Sequence, residues 1–304
     1  MDSISPGQKA EVIYKLFKKR REMSIKISSY NEGTDYEKAV FSVKSGNVCY
    51  KICLPDYKVD YIQKNIHSLG EPYESEMLHA LSLGLKENDL VLDIGANIGN
   101  HTLFFANVCG CKVKAFEPNP LLCDPLFFSI EKSDLLDKVE LFKAGVGAKE
   151  TKASFKVLNE SNLGAQSLEL NDSKEANIDV VKLDDQVFET PVSLIKIDVE
   201  GMELDVLKGG AELIRRDKPL LAVESTNIEE YLSLQSFMKE NGYIYCCSFN
   251  GTPTHIYLHH EKVAYSPWLE LFGRGGEVFH QMRHFHRKLK KAVSVLRQNR
   301  IKGW

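Results

Sequence analysis

From Glu76 onward the chain alternates short apolar runs with stretches of helical spacing. Residues 90–94, 112–116, 139–143, 192–197 and 219–223 read as strands, each too short and too uniformly apolar for a half-exposed ribbon. Helical spacing follows at 98–108, 120–132, 202–208 and 228–241, and further strands close the series at 243–248 and 255–258. Short apolar strands separated by helices predict a mostly parallel, doubly wound α/β sheet covered on both faces. Residues 153–185 interrupt this rhythm as an insertion, with strand-like pieces at 153–157 and 178–183. Before residue 76 the pattern differs. A helix is expected at 8–23, and a β-hairpin at 39–54 around Ser45-Gly46-Asn47. At the far end Met282, Phe285, Leu289, Val293 and Leu296 recur at helical spacing. The chain therefore divides into an accessory region at 1–75, a catalytic-type α/β domain at 76–260 and a tail at 261–304.

Composition refines this picture. With 304 residues, 43% of them hydrophobic, the chain can bury a full core. The net charge is −3, but eight Lys or Arg and no acid fall within 278–304. Residues 1–277 then carry 31 basic against 42 acidic groups, a net of −11. So acidic a body does not wrap nucleic acid. Beside the basic tail Phe285 and Trp304 make no aromatic platform for bases, so no nucleic-acid partner is expected. Two readings of the tail stay open: a helix docked on the body with its basic face exposed, or peripheral contact with an anionic membrane. His280, His284 and His286 have no metal-binding spacing. The seven cysteines are odd in number and lack C-x-x-C spacing, so reduced thiols in a cytoplasmic protein are expected. Residues 1–10 hold no apolar signal core, and no window approaches 18 apolar residues.

Candidate chemistry lies at strand ends. The first strand runs into Asp93-Ile-Gly95-Ala96-Asn97-Ile-Gly99, where Gly95 permits a turn and the loop brings backbone N–H groups and a helix start towards a ligand. The loop has the form D-x-G-x-x-x-G, with Asn97 where a dinucleotide loop has its second glycine. It suits the carboxypropyl and sulfonium part of S-adenosylmethionine better than a pyrophosphate. Glu117 follows Gly95 by 22 residues and is succeeded by Pro118, at the end of the second strand. An acid there accepts hydrogen bonds from ribose hydroxyls, although it could also cap the helix that starts near Pro120. The small residues Ala144-Gly145-Val146-Gly147 would let backbone approach an adenine. Asp198 and Glu200 end the fourth strand, where they could serve as base, metal ligand or hydroxyl anchor, or only brace the loops. Glu203 and Asp205 read as solvated or capping groups of the next helix.

In combination these segments resemble the FkbM-type methyltransferase family. The resemblance extends from Tyr73 to Glu224, with Pro72-Tyr73-Glu74, Asp93 to Thr102, Phe116 to Asn119, Ala144 to Gly147, Asn162 to Ser167, Val181 to Asp185 and Ile195 to Glu203 as its carriers. It implies a Rossmann-like class I methyltransferase fold and S-adenosylmethionine-dependent methyl transfer to a hydroxyl of a sugar, glycolipid or natural product. Asp198, His101 and Glu200 become the candidate bases, in that order; His101 could equally bond only to the loop. A divalent metal bridging Asp198 and Glu200 is the less favoured option, because no third ligand is evident. Tyr73 and Glu74 are expected to close over the cofactor, and Asn162, Ser167 and Glu224 to touch the acceptor. A nicotinamide-dependent oxidoreductase and a non-catalytic partner subunit are the alternatives.

Overall fold

A computed structural model describes residues 35–155, 168–170 and 177–265. The expected helix at 8–23, the basic tail, Asn162 and Ser167 lie outside the described residues. No helix among the described residues is long and apolar enough to cross a membrane.

A hairpin opens the described chain, with β1 (Val40–Ser45) antiparallel to β2 (Val48–Cys53) across the expected turn. Two helices follow, α1 (Tyr61–Leu69) and α2 (Ser75–Ser82). Asp60 caps α1 by accepting from Gln63 N at 2.9 Å, and Gly70 ends it in the left-handed region. The α/β core then runs β3 (Leu90–Ile94), α3 (Asn100–Asn107), β4 (Lys112–Phe116), α4 (Pro120–Lys132) and β5 (Val139–Phe142). The strands β6 (Gly145–Val146), β7 (Thr151–Phe155), β8 (Leu168–Leu170) and β9 (Ile178–Val181) form a small outer sheet. The chain returns through β10 (Val192–Ile197), α5 (Glu203–Gly209), α6 (Ala211–Asp217), β11 (Leu220–Glu224) and α7 (Ile228–Glu240), and β12 (Tyr243–Phe249) and β13 (Thr254–His259) complete it.

The main sheet has the order β12-β13-β11-β10-β3-β4-β5. From β11 to β5 neighbouring strands are parallel, while β13 is antiparallel to β11 and to β12. Successive side chains point to opposite faces, so each strand feeds two apolar layers. Val91, Val113, Leu141 and Leu194 pack with α3 and α4, and the hairpin residues Val43, Tyr50 and Ile52 join that same layer. Leu92, Phe116, Ile195, Ile197 and Val223 pack on the other face against Val206, Leu213 and Leu234 of α5, α6 and α7. Each such buried side chain stabilises the fold by about 1.5–3 kcal/mol. The order reverses at β3, since β4 and β5 extend to one side of it and β10 and β11 to the other. A crevice at the carboxyl ends of the strands is the expected consequence. All seven cysteines are free.

Candidate active site

A cleft of about 510 Å³ opens at that switch point, lined by the carboxyl ends of β3, β4, β10 and β11. The turn after β3 is held from both neighbours. Gly95 N and Ala96 N donate to Phe116 O at 2.9 and 3.0 Å. Gly95 has φ +78°, and a Cβ there would lie 1.8 Å from the backbone oxygen of Asp198. Only glycine lets these two strand ends approach so closely.

Glu117 is 5% exposed and its carboxylate is fixed on both oxygens. Oε2 accepts from Asn97 N and Oε1 from Asn119 N, each at 2.8 Å. Helix capping belongs to Asn119, whose Oδ1 accepts from Leu121 N at 3.0 Å. Burial pushes the Glu117 carboxyl up to about 7, against the pull of the two N–H groups. Each carboxylate oxygen keeps a second lone pair, so the group can still accept from a ligand hydroxyl. Ala144, Gly145, Val146, Phe155 and Leu168 add apolar lining to the same cleft.

Asp198, Glu200 and Glu224 occupy another wall. Lys196, 3% exposed, lies behind them: its Nζ donates to Gly95 O at 2.9 Å and sits 3.4 Å from both Asp93 Oδ1 and Asp198 Oδ2. Burial opposes the Lys196 charge, but Asp198 and Asp93 outweigh it and hold its pKa above the ordinary value. Burial would likewise raise Asp198, yet the Lys196 ammonium and a hydrogen bond with Glu224 keep that carboxyl below the usual range. Burial and the Asp198 charge push Glu224 up to about 10, so one proton is shared across this pair with Asp198 ionised. Burial, then Asp198, push Glu200 up to about 7. Oxygens of the three acids lie within 4.8 Å of one another, so Glu224 stands where a third ligand, not evident from sequence, would be needed for a divalent cation.

The remaining rim comes from the segment before α2. Tyr73 N donates to Asn100 Oδ1 and Asn100 Nδ2 to Tyr73 O, each at 2.9 Å. Glu74 Oε2 then lies 3.0 Å from His101 Nε2, off line for a hydrogen bond. Glu74, Asn97 and Glu200 line the cleft with φ of 60°, 52° and 55°. Left-handed backbone at non-glycine residues costs about 1–3 kcal/mol each and concentrates at ligand sites.

The cleft thus gathers Tyr73, Glu74, Gly95, Ala96, Asn97, His101, Glu117, Pro118, Gly145, Asp198, Glu200 and Glu224. Two residues expected to touch the cofactor do not line it. Asp93 is fully buried and accepts from Thr102 Oγ1 at 2.6 Å beside Lys196, which makes it a brace. Gly99 faces Leu126, 2.1 Å from the position of a Cβ. Glu203 corrects a further expectation: it is buried, and its Oε1 accepts from Val199 N at 3.2 Å and Gly201 N at 3.1 Å, tying the Asp198–Glu200 loop. Sequence reasoning gave no separate role to Lys196, Asn100, Asp60 or Tyr61. Only Lys196 left a signal, a lone cation in an apolar strand.

Residues 93–245, half of the chain, match the family model described as the methyltransferase FkbM domain. The chain belongs to the FkbM methyltransferase family. This FkbM-family chain is 32% identical over 142 residues to the hexuronic acid methyltransferase AglP of Haloferax volcanii, covering 45% of this chain and 56% of that protein. It is 27% identical over 147 residues to Methyltransferase 1 of Beauveria bassiana, covering 40% of this chain and 59% of that one. The matches thus span between half and two thirds of those relatives. An FkbM methyltransferase structure from Methylobacillus flagellatus aligns with a TM-score of 0.44 at 20% identity, over 65% of this chain and 52% of that chain. The family segment contains the glycine loop, Glu117 and Asp198, and membership in it favours methyl transfer over the nicotinamide-dependent alternative.

Proposed function

We propose that this FkbM-family chain is an S-adenosylmethionine-dependent O-methyltransferase for a hydroxyl of a sugar, glycolipid or natural product. The observation that carries the reading is the pairing, in one cleft, of a fixed Glu117 with the acidic group Asp198, Glu200 and Glu224. Glu117 is a ready acceptor for ribose hydroxyls, and the apolar lining around Gly145 suits the adenine. The sulfonium of the cofactor supplies the activated methyl group. Asp198, ionised and fixed by Lys196, orients the acceptor hydroxyl as a hydrogen-bond acceptor. Glu200, with its carboxyl near 7, takes the hydroxyl proton, which suits a base working at neutral pH. His101 lines the same cleft and is the second candidate base. Holding the acceptor in line contributes on the order of 7–11 kcal/mol in favourable cases. Retention of Gly95 and Glu117 speaks against a non-catalytic subunit.

The test is incubation of the full chain with methyl-labelled S-adenosylmethionine and a panel of hydroxyl-bearing glycosides. Alkali-stable label in the glycoside fraction is expected; label confined to amines or thiols would contradict the reading. Three clustered carboxylates also favour a metal-assisted version. Loss of transfer in chelator with recovery in magnesium supports that version; full activity in chelator removes it.

A further inference from the structure

The cleft is one-sided in charge. Among the described residues it is lined by Asp60, Glu74, Asp198, Glu200 and Glu224 besides Glu117, with Lys196 and His101 against them. Lys196 is already engaged by Gly95 O, Asp93 and Asp198. His101 faces Glu74. An anionic acceptor would therefore meet carboxylates and no disengaged lysine or arginine among the described lining residues.

An aromatic pair stands at the same mouth. Tyr61 is 67% exposed and lies edge-on to Tyr73, with centroids 6.2 Å apart and planes at 86°. Both line the cleft, as does Asp60 beside them. Aromatic faces take the apolar C–H face of a pyranose, and carboxylates accept from its hydroxyls. His101 lines the same cleft: it is 8% exposed, and its Nε2 sits 3.0 Å from Glu74 Oε2 but off line for a hydrogen bond. A sugar hydroxyl reaching this nitrogen would complete its hydrogen bonding.

We propose that the acceptor site takes an uncharged or amino-bearing pyranose, with its ring against Tyr61 and Tyr73, and rejects a uronic acid. The inference rests on the methyl-transfer reading and separates this chain from its relative named for hexuronic acid. Like charges brought together at a binding site are a strong device of selectivity.

The test uses the full chain saturated with S-adenosylhomocysteine. Its ligands are the 4-nitrophenyl β-glycosides of glucose, glucosamine and glucuronic acid, titrated by saturation-transfer NMR in chelator and again in magnesium. The glucoside and glucosaminide are expected to bind, and the glucuronide to bind at least about tenfold more weakly, with a gap that narrows in high salt. Tyr61→Ala should weaken the glucoside about fivefold. Glucuronide binding equal to that of the glucoside, with or without magnesium, overturns the proposal. So does absence of glycoside binding, or an unaffected glucoside in the Tyr61 variant. Calorimetry of S-adenosylhomocysteine on the same sample separates the two failures: no cofactor heat sinks the methyl-transfer reading itself, whereas normal heat with a uronate preference sinks only the acceptor inference.

Discussion

Glu117 shows how a single carboxylate is readied for a ligand. Its two N–H partners fix its orientation, and burial keeps its pKa near 7. Ribose hydroxyls donate best to the ionised form. Below pH 7 the protein must lose a proton to bind, so affinity for S-adenosylhomocysteine should fall as pH drops from 8 to 6. Proton uptake by the buffer, followed by calorimetry in buffers of different ionisation enthalpy, checks the sign. Glu117→Ala should weaken binding by about 1–3 kcal/mol, the cost of unmet polar partners. Glu200 titrates in the same range but acts on a different step. Transfer should rise through about pH 7 as it ionises, and Glu200→Gln should lower turnover by about 10²–10⁴-fold. Single-turnover rates would record this, and an unchanged rate would pass the proton to His101. Lys196 has a structural role instead. Lys196→Met leaves the buried Asp93 and the half-exposed Asp198 without their cation, and should cost about 3–5 kcal/mol in a denaturant titration. Asp198→Asn keeps the Lys196–Asp93 pair, so it should fold and bind cofactor while losing most transfer.

At the scale of elements, the turns after β3 and β10 form one unit. Gly95→Ala would drive a Cβ into the Asp198 carbonyl, and Glu203 holds the other side of that loop. The substitution should destabilise the fold by about 1–3 kcal/mol and weaken cofactor binding, seen as a lower Tm that S-adenosylhomocysteine no longer restores. The strands and helices on either side of these turns were legible in the sequence, because their apolar runs are short and sharply bounded. The hairpin was legible from Ser45-Gly46-Asn47. Helix α1 was not: it exposes Tyr61 and Leu69 and buries Gln63 with Ile66, so its apolar pattern points away from its packed face. In α6 only Leu213 and Ile214 are buried, too few to set a period. Glu203 read as a solvated or capping helix residue because the donors to its carboxylate are backbone N–H groups of a loop, which leave no mark in sequence. Asp93 reads as a ligand-loop residue, yet its partner Lys196 lies more than a hundred positions away, brought close only by parallel pairing of β3 and β10.

In the whole molecule, the sheet order puts four strand ends around one cleft, and the N-terminal hairpin, expected to be accessory, shares the core beneath it. The segment from Asp60 to Glu74 then supplies the acidic and aromatic rim of the cleft. The proposed cofactor contacts at Gly95, Asn97 and Glu117 lie in the family segment, whereas Tyr61, Tyr73 and Glu74 of the rim lie ahead of it. We expect this cleft to hold S-adenosylmethionine. Isothermal calorimetry of the full chain at pH 8 with S-adenosylhomocysteine, and in parallel with NAD, addresses it most directly. The account predicts saturable binding of S-adenosylhomocysteine that weakens in Glu117→Ala, and no heat with NAD. Saturable NAD binding with no response to S-adenosylhomocysteine would contradict it.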